Sequence, residues 1–256
     1  MTLTLSLNNA LMSGIGLLNE KPLHASLKQW CARPGDRFEV PVDGFVIDIV
    51  RDDLLIEIQT RNLSAINSKL QRLTRSHQVR LIFPIVKEKW IVRTAATNSS
   101  PTIPTAVSTQ RRRGRDAEVA VVRRKSPKRG RLEDLFWELV SIPQLLSNPN
   151  FSLEVLMIRE EEVRRYDRRR RKGWVLERRQ LLEVVDQHLF TRSEDWLAFV
   201  PTGLNSFTSI ELATGMSANR ELGQKLAYCL RHSRMIELIG KRGRANLYRV
   251  AGNGEE

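Results

Sequence analysis

The chain has 256 residues, 41% of them hydrophobic, which suffices for one large or two ordinary folded domains and argues against a disordered polymer. Lys and Arg outnumber Asp and Glu by 42 to 29, and the net charge of +13 favours polyanionic partners, nucleic acid first. No apolar run approaches the roughly 18–20 residues of a spanning helix, and MTLTLSLNNALMSGIG lacks the basic start and cleavage site of a signal peptide, so a cytoplasmic protein outside the membrane is expected.

From Asn19 to Ala32, Pro22 suits a first helical turn and Leu23, Leu27 and Trp30 recur at helical spacing; Glu20 stands at the start, and His24 needs no role beyond the helix. Cys31 and Cys229 are isolated, and four scattered histidines make no zinc spacing. After a turn at Arg33–Asp36, Phe38–Val42 begins an extended run. Val42–Thr60, VDGFVIDIVRDDLLIEIQT, reads as two strands around a reversal at Asp52 and Asp53. Val46, Asp48 and Val50 share one face of the first strand, with Phe45, Ile47 and Ile49 on the other. Facing residues sum to 105, which places Asp48 opposite Glu57 with Cβ atoms about 5 Å apart. Like charges so placed repel unless a cation lies between them, and Mg²⁺ (or Mn²⁺) is the hard ion that carboxylate oxygens prefer.

Beyond Thr60, Asn62 is a candidate N-cap for a helix to about His77, with Leu63, Ile66, Leu70 and Leu73 on one face and Lys69 beside it. Val79–Val86 reads as a buried strand and Lys89–Arg93 as a shorter partner. Thr94–Arg131 turns polar and then densely basic, as a flexible linker does. Leu132–Val140 is a short amphipathic helix, and Phe151–Ile158 a strand expected to complete the first sheet across the linker. Arg159–Arg179 reads as a solvated charged face, and Arg178–Phe190 as a helix on Leu181, Leu182, Val185 and Leu189. Thr208 and Glu211 form a capping box, with Phe207 and Leu212 as a hydrophobic staple. A second helix spans about Ala218–Ser233, with Arg220, Gln224, Ala227, Tyr228 and Arg231 on its outer face. Two extended stretches follow, joined at Gly240–Arg244.

This last series, over roughly Gly173–Ala251, resembles a winged helix-turn-helix domain. The resemblance implies that Arg220, Gln224 and Arg231 enter a major groove of duplex DNA while Lys241, Arg242 and Arg244 reach an adjacent groove or backbone; winged helices also dock proteins. Asp48 in GFVIDIV and Glu57 in LLIEIQT, in their strand and helix context over Asn19–Arg93 and extended by Leu132–Ile158, resemble the PD-(D/E)XK nuclease superfamily. That resemblance implies that Asp48 and Glu57 ligate Mg²⁺, that the Ile58 carbonyl completes the inner shell, and that Glu20 matches the acid of the first helix. The superfamily's lysine is replaced by Gln59, and Lys69 is the candidate substitute. The expected fold class is an α/β (α+β) nuclease-like sheet flanked by helices, plus a mainly α winged-helix domain. Its divisions are a nuclease-like core at 1–93, a basic linker at 94–130, a completing helix and strand at 131–167, and a DNA-binding domain at 168–256. The expected function is metal-dependent DNA cleavage in repair, recombination or defence; a non-catalytic DNA-binding regulator is the alternative. A homodimer is common among enzymes that cut both strands, although no interface signature is visible.

Overall fold

The computed structural model describes residues 21–94, 122–167, 169, 170 and 173–252. Helix α1 (Pro22–Cys31) starts on Pro22 and buries Leu23 and Leu27, whereas Trp30 is 45% exposed. An antiparallel meander follows: β1 (Arg37–Val42), β2 (Phe45–Arg51) and β3 (Leu54–Ile58). Asp52, at φ 49°, occupies the left-handed region that Asp tolerates, and closes the hairpin so that Arg51 faces Leu54 and Ile49 faces Ile56. These pairs sum to 105, the register that the sequence predicts. The helix expected from Asn62 is instead a 3-10 turn, Leu63–Ile66, followed by α2 (Asn67–Leu73). Asn62 is itself left-handed, at φ 56°, and its side chain caps nothing. Leu70 and Leu73 bury α2, and the chain returns as β4 (Gln78–Thr94), parallel to β3.

β4 is a single 17-residue strand where two were expected. A register irregularity between Val86 and Glu88 lets it pass from apolar to charged sequence without a turn. Part of the expected linker is also strand: β5 (Val122–Lys125) pairs antiparallel with the outer half of β4. A 3-10 turn (Leu132–Leu135), α3 (Phe136–Leu139) and a second 3-10 turn (Pro143–Ser147) lead into β6 (Phe151–Tyr166). β6 joins parallel to β4, so the strand at Phe151 does complete the sheet, at far greater length than expected. β7 (Trp174–Phe190) runs antiparallel to β6, where a helix was expected from Arg178. Register shifts opposite Met157/Ile158, Arg159/Glu160 and Val163/Arg164 insert extra residues into β7. Half-covered residues therefore recur as pairs, at 174–175, 178–179 and 184–185, and this bulged strand acquires a spacing close to that of a helix. Gly173, at φ 67°, admits the reversal, since a Cβ there would lie 2.4 Å from the Tyr166 ring.

The large sheet has seven strands in the order β1-β2-β3-β4-β6-β7, with β5 on β4. On one face α1 packs Leu23 and Leu27 against Ile49, Ile56, Ile58, Ile82, Leu156 and Ile158. The other face carries a larger core shared with α2, α3 and the C-terminal elements. These are α4 (Ser193–Leu197), β8 (Phe207–Thr208), α5 (Ser209–Gly215), α6 (Arg220–His232), β9 (Ile236–Arg242) and β10 (Ala245–Val250), with a small sheet in the order β8-β10-β9. Thr208 N–H donates to Glu211 Oε2 at 2.7 Å and Glu211 N–H to Thr208 Oγ1 at 3.4 Å, the expected capping box. Thr208→Ala is expected to lower stability by about 1 kcal/mol, read from the urea midpoint at unchanged slope. Gly223 allows α6 to approach α5, because a Cβ there would lie 2.2 Å from the Ser209 carbonyl. Ser233 Oγ donates to the Pro143 carbonyl, and Arg131 donates to the carbonyls of Met216 and Ser217, fastening these elements to the sheet side.

The expected fold class is thereby corrected. In place of a nuclease-like sheet and a separate, mainly α winged-helix domain, the chain has one large mixed sheet in which strand exceeds helix among the described residues. β7, assigned by sequence to the domain starting at 168, belongs to that sheet, and the C-terminal helices share its core. The difference traces to β7, whose bulges hide its period, to β4, whose outer half reads as a separate strand, and to β6, whose charged outer half reads as a solvated face. No described helix is long and apolar enough to cross a membrane.

Candidate functional site

Strand alternation breaks at Asp48. Ile47 and Ile49, expected on one face, join opposite cores, as do their β1 partners Val40 and Phe38. Between those partners Glu39 is left-handed, at φ 53°, so both strands swivel at this level. The Asp48 carboxylate is thereby brought to the end of β3, where Oδ2 accepts a 2.8 Å bond from the Ile58 N–H and lies 3.2 Å from His24 Nε2. Burial alone would raise its pKa. The hydrogen bond and charge of His24, the Ile58 amide and the charge of Lys28 outweigh burial and hold it below the ordinary value.

Glu57 is 6% exposed, and the larger core lies on its side of β3. Lys69 Nζ, on α2, lies 2.6 Å from Glu57 Oε1 and donates to the Val46 carbonyl at 2.6 Å. The Lys69 ammonium is thus the partner of this buried carboxylate oxygen. Burial and then the neighbouring Asp48 charge push the Glu57 carboxyl up to about 7, against the opposing pull of Lys69. Gln59 sits half-buried beyond Glu57 and turns its amide to the Asn62 carbonyl, 3.3 Å away. Glu20 lies outside the described residues. His24 is the site neighbour that sequence reasoning passed over: helical periodicity shows which residues share a face of α1, but not which strand that face meets.

Two carboxylates and the Ile58 carbonyl are the donors at hand, and among the described residues no group of three or more His, Cys, Asp or Glu side chains could hold a metal. The set still fits Mg²⁺, which commonly takes one or two carboxylates and fills the rest of its shell with water and substrate phosphate. Glu57 Oε1 is a buried acceptor already met by one cation, the Lys69 ammonium, which a metal there would share or displace. Two surface clefts lie elsewhere, one lined by Cys31, Arg51, Glu154 and Gln187, the other by Arg37, Asp53 and His77. The Cys31 and Cys229 thiols are free, and burial pushes both up to about 12, which leaves them unreactive near neutral pH.

Among the residues expected to touch DNA, Arg220, Gln224 and Arg231 are exposed on α6, while Ala227 is buried rather than outward. Strands β9 and β10 reverse at Gly243 and Arg244, so Gly240, Lys241 and Arg242 belong to strand and not to a loose tip. Arg242 pairs with Glu211 at 2.7 Å and reaches Ser206 Oγ at 3.2 Å, whereas Lys241 and Arg244 are exposed.

The family described as "Domain of unknown function (DUF8091)" matches residues 21–117 and 103–191, and the chain belongs to it. The matched span runs from α1 to the end of β7, so the family's unit coincides with the large sheet and the α1 layer. An uncharacterized protein of Treponema pallidum (strain Nichols) is 27% identical over 249 residues, covering 94% of this chain and 89% of the relative. No solved structure matches the chain.

Proposed function

We propose that this protein is a metal-dependent DNA endonuclease in which Asp48 and Glu57 hold Mg²⁺ or Mn²⁺ beside the Ile58 carbonyl. The observation that carries the proposal is the buried, mutually repelling acid pair, with Glu57 raised to about 7 even though Lys69 lies 2.6 Å away. A metal ion bound there supplies water activation and neutralises charge developing on a phosphodiester. The chain's own residues do the rest. Ile58 N–H and His24 fix the Asp48 carboxylate, and Lys69 stands at Glu57 as the local cation that Gln59 does not provide. Exposed Arg220, Gln224 and Arg231 on α6, with Lys241 and Arg244, hold the duplex.

A second reading, a non-catalytic DNA-binding regulator, is favoured by a specific contact: Lys69 already balances Glu57, and Gln59 is turned to the Asn62 carbonyl. Incubating the protein with plasmid, linear and branched DNA, with and without Mg²⁺ or Mn²⁺, separates the two. Metal-dependent cleavage supports the enzyme, and intact DNA in every reaction supports the regulator. Replacing Arg220, Gln224 and Arg231 by Ala is expected to weaken duplex binding and flatten its salt dependence by about 2 in slope, from two lost phosphate contacts. Unchanged binding places the duplex site elsewhere.

A further inference from the structure

β3 ends at Ile58, paired with Ile82, but β4 continues to Thr94, about 40 Å further at 3.3 Å per residue. β6 and β7 accompany it and β5 closes its edge, so a four-stranded extension projects beyond the acid pair. Cross-strand register sets the content of its face on the α1 side. One row carries Arg124, Ile91, Glu162 and Arg179; the next carries Val122, Arg93, Arg164 and Leu176; Lys89 and Glu160 lie nearer α1, and Tyr166 pairs with Trp174 at the far end.

The carboxylates lie beneath and the cations above. Glu160 and Glu162 side chains are 0% and 7% exposed, while their partners Lys89, Arg164 and Arg179 are 26%, 36% and 23% exposed. Lys89 reaches Glu160 at 3.0 Å and Glu162 at 2.8 Å, Arg179 reaches Glu160 at 2.6 Å, and Arg164 pairs with Glu162. Each buried acid thus fixes cations that remain partly exposed, at little further entropic cost when a ligand arrives. Arg93 stacks 5.0 Å over Trp174, which meets Tyr166 edge-on at 5.4 Å, and Arg93 Nε is buried without a hydrogen-bond partner. Apolar side chains interleave with these cations: Val122, Leu176 and Tyr166 are 53%, 47% and 40% exposed.

We infer that this face binds single-stranded nucleic acid, with Arg93, Arg124, Arg164 and Arg179 on phosphates and Tyr166 and Trp174 stacking on bases. Cations alone would suit any polyanion. Exposed aromatic and apolar groups set among them suit unstacked bases, whose faces a duplex keeps inside. The inference deepens the nuclease proposal by naming a path to the acid pair for an unpaired strand, and it rests on that proposal only for the path, since the binding itself needs no cleavage.

The test is fluorescence anisotropy in EDTA on the full chain, with an oligo-dT of about 30 nucleotides and a duplex of equal length as probes. Arg93→Ala/Arg124→Ala/Tyr166→Ala leaves both buried acids paired. It is expected to lose about tenfold or more in oligo-dT affinity and about 1.4 in salt slope, with a smaller loss on duplex. Unchanged oligo-dT affinity, or an equal loss on duplex, overturns the inference. If the triple variant melts early, photo-crosslinking of the unaltered protein to iododeoxyuridine-substituted oligo-dT decides. Crosslinks at Tyr166 or Trp174 support the site, and crosslinks confined to α6 sink it. Because the assay reads binding alone and is run in EDTA, a failed nuclease proposal leaves this result readable.

Discussion

Replacing Asp48 and Glu57 together by Ala is expected to lower Mg²⁺-dependent DNA cleavage by on the order of 10³-fold or more, since a bound metal contributes several kcal/mol to the transition state and each 1.4 kcal/mol is a decade. Neither acid is a spectator of the fold. Asp48 accepts the Ile58 amide and Glu57 pairs with Lys69, so truncation also disturbs the meander and α2. The isosteric Asp48→Asn/Glu57→Gln protein separates the two effects, because amide oxygens still accept hydrogen bonds but the negative charge that holds a metal is gone. Both proteins should fail to cut, while the isosteric one stays folded with a circular dichroism spectrum like the parent's. Activity within about tenfold of the parent in the isosteric variant would place the cleavage centre elsewhere. Lys69→Met sharpens the assignment. If Lys69 supplies the cation that Gln59 lacks, its removal should cost turnover more than substrate binding; full activity would leave that role to Gln59.

The sequence carried the hairpin register because a two-residue reversal at Asp52 and Asp53 fixes it by counting, and the buried side chains on both strands leave no freedom to slip; the ladder ends at Ile49 and Ile56, so Asp48 lies past its last pair, at the swivel. The Thr208 cap was equally local. What the sequence hid depends on partners far away in the chain. β7 holds Leu181 and Val185 at helical spacing only because β6 imposes three bulges on it. The outer half of β6 is rich in Arg and Glu, which reads as a solvated face until β4 is laid beside it and Lys89, Glu160 and Glu162 neutralise one another. His24 was invisible for a similar reason, since its role comes from docking α1 over the swivel at Asp48, a contact between residues 24 positions apart. The Glu39 conformation that produces the swivel has no signature in RFEVPV.

The Glu57→Gln variant is expected to be more stable than the parent at pH 8 by about 3 kcal/mol and equally stable at pH 4, when both are unfolded by urea without metal. The sign follows from the proton. Glu57 titrates near 7 in the folded protein and near 4.5 when unfolded, so between these values the folded state holds a proton that the unfolded state has released. Folding is therefore favoured by Glu57 below about pH 4.5 and disfavoured as pH rises through about 7, where burial and Asp48 oppose the new charge. Gln keeps the shape of the neutral acid and never ionises, which removes the alkaline penalty. A pH-independent difference, or a variant weaker at pH 8, would mean that Lys69 holds Glu57 ionised throughout. Mg²⁺ then supplies the link to function. At pH 8 it should stabilise the parent, by about 2.7 kcal/mol at a hundredfold excess over Kd, and leave Glu57→Gln unmoved. Below pH 7 the effect on the parent should fade, because protonated Glu57 no longer offers the charge that holds the ion. Equal stabilisation of both proteins by Mg²⁺ would remove Glu57 from the metal site while leaving the pH argument intact.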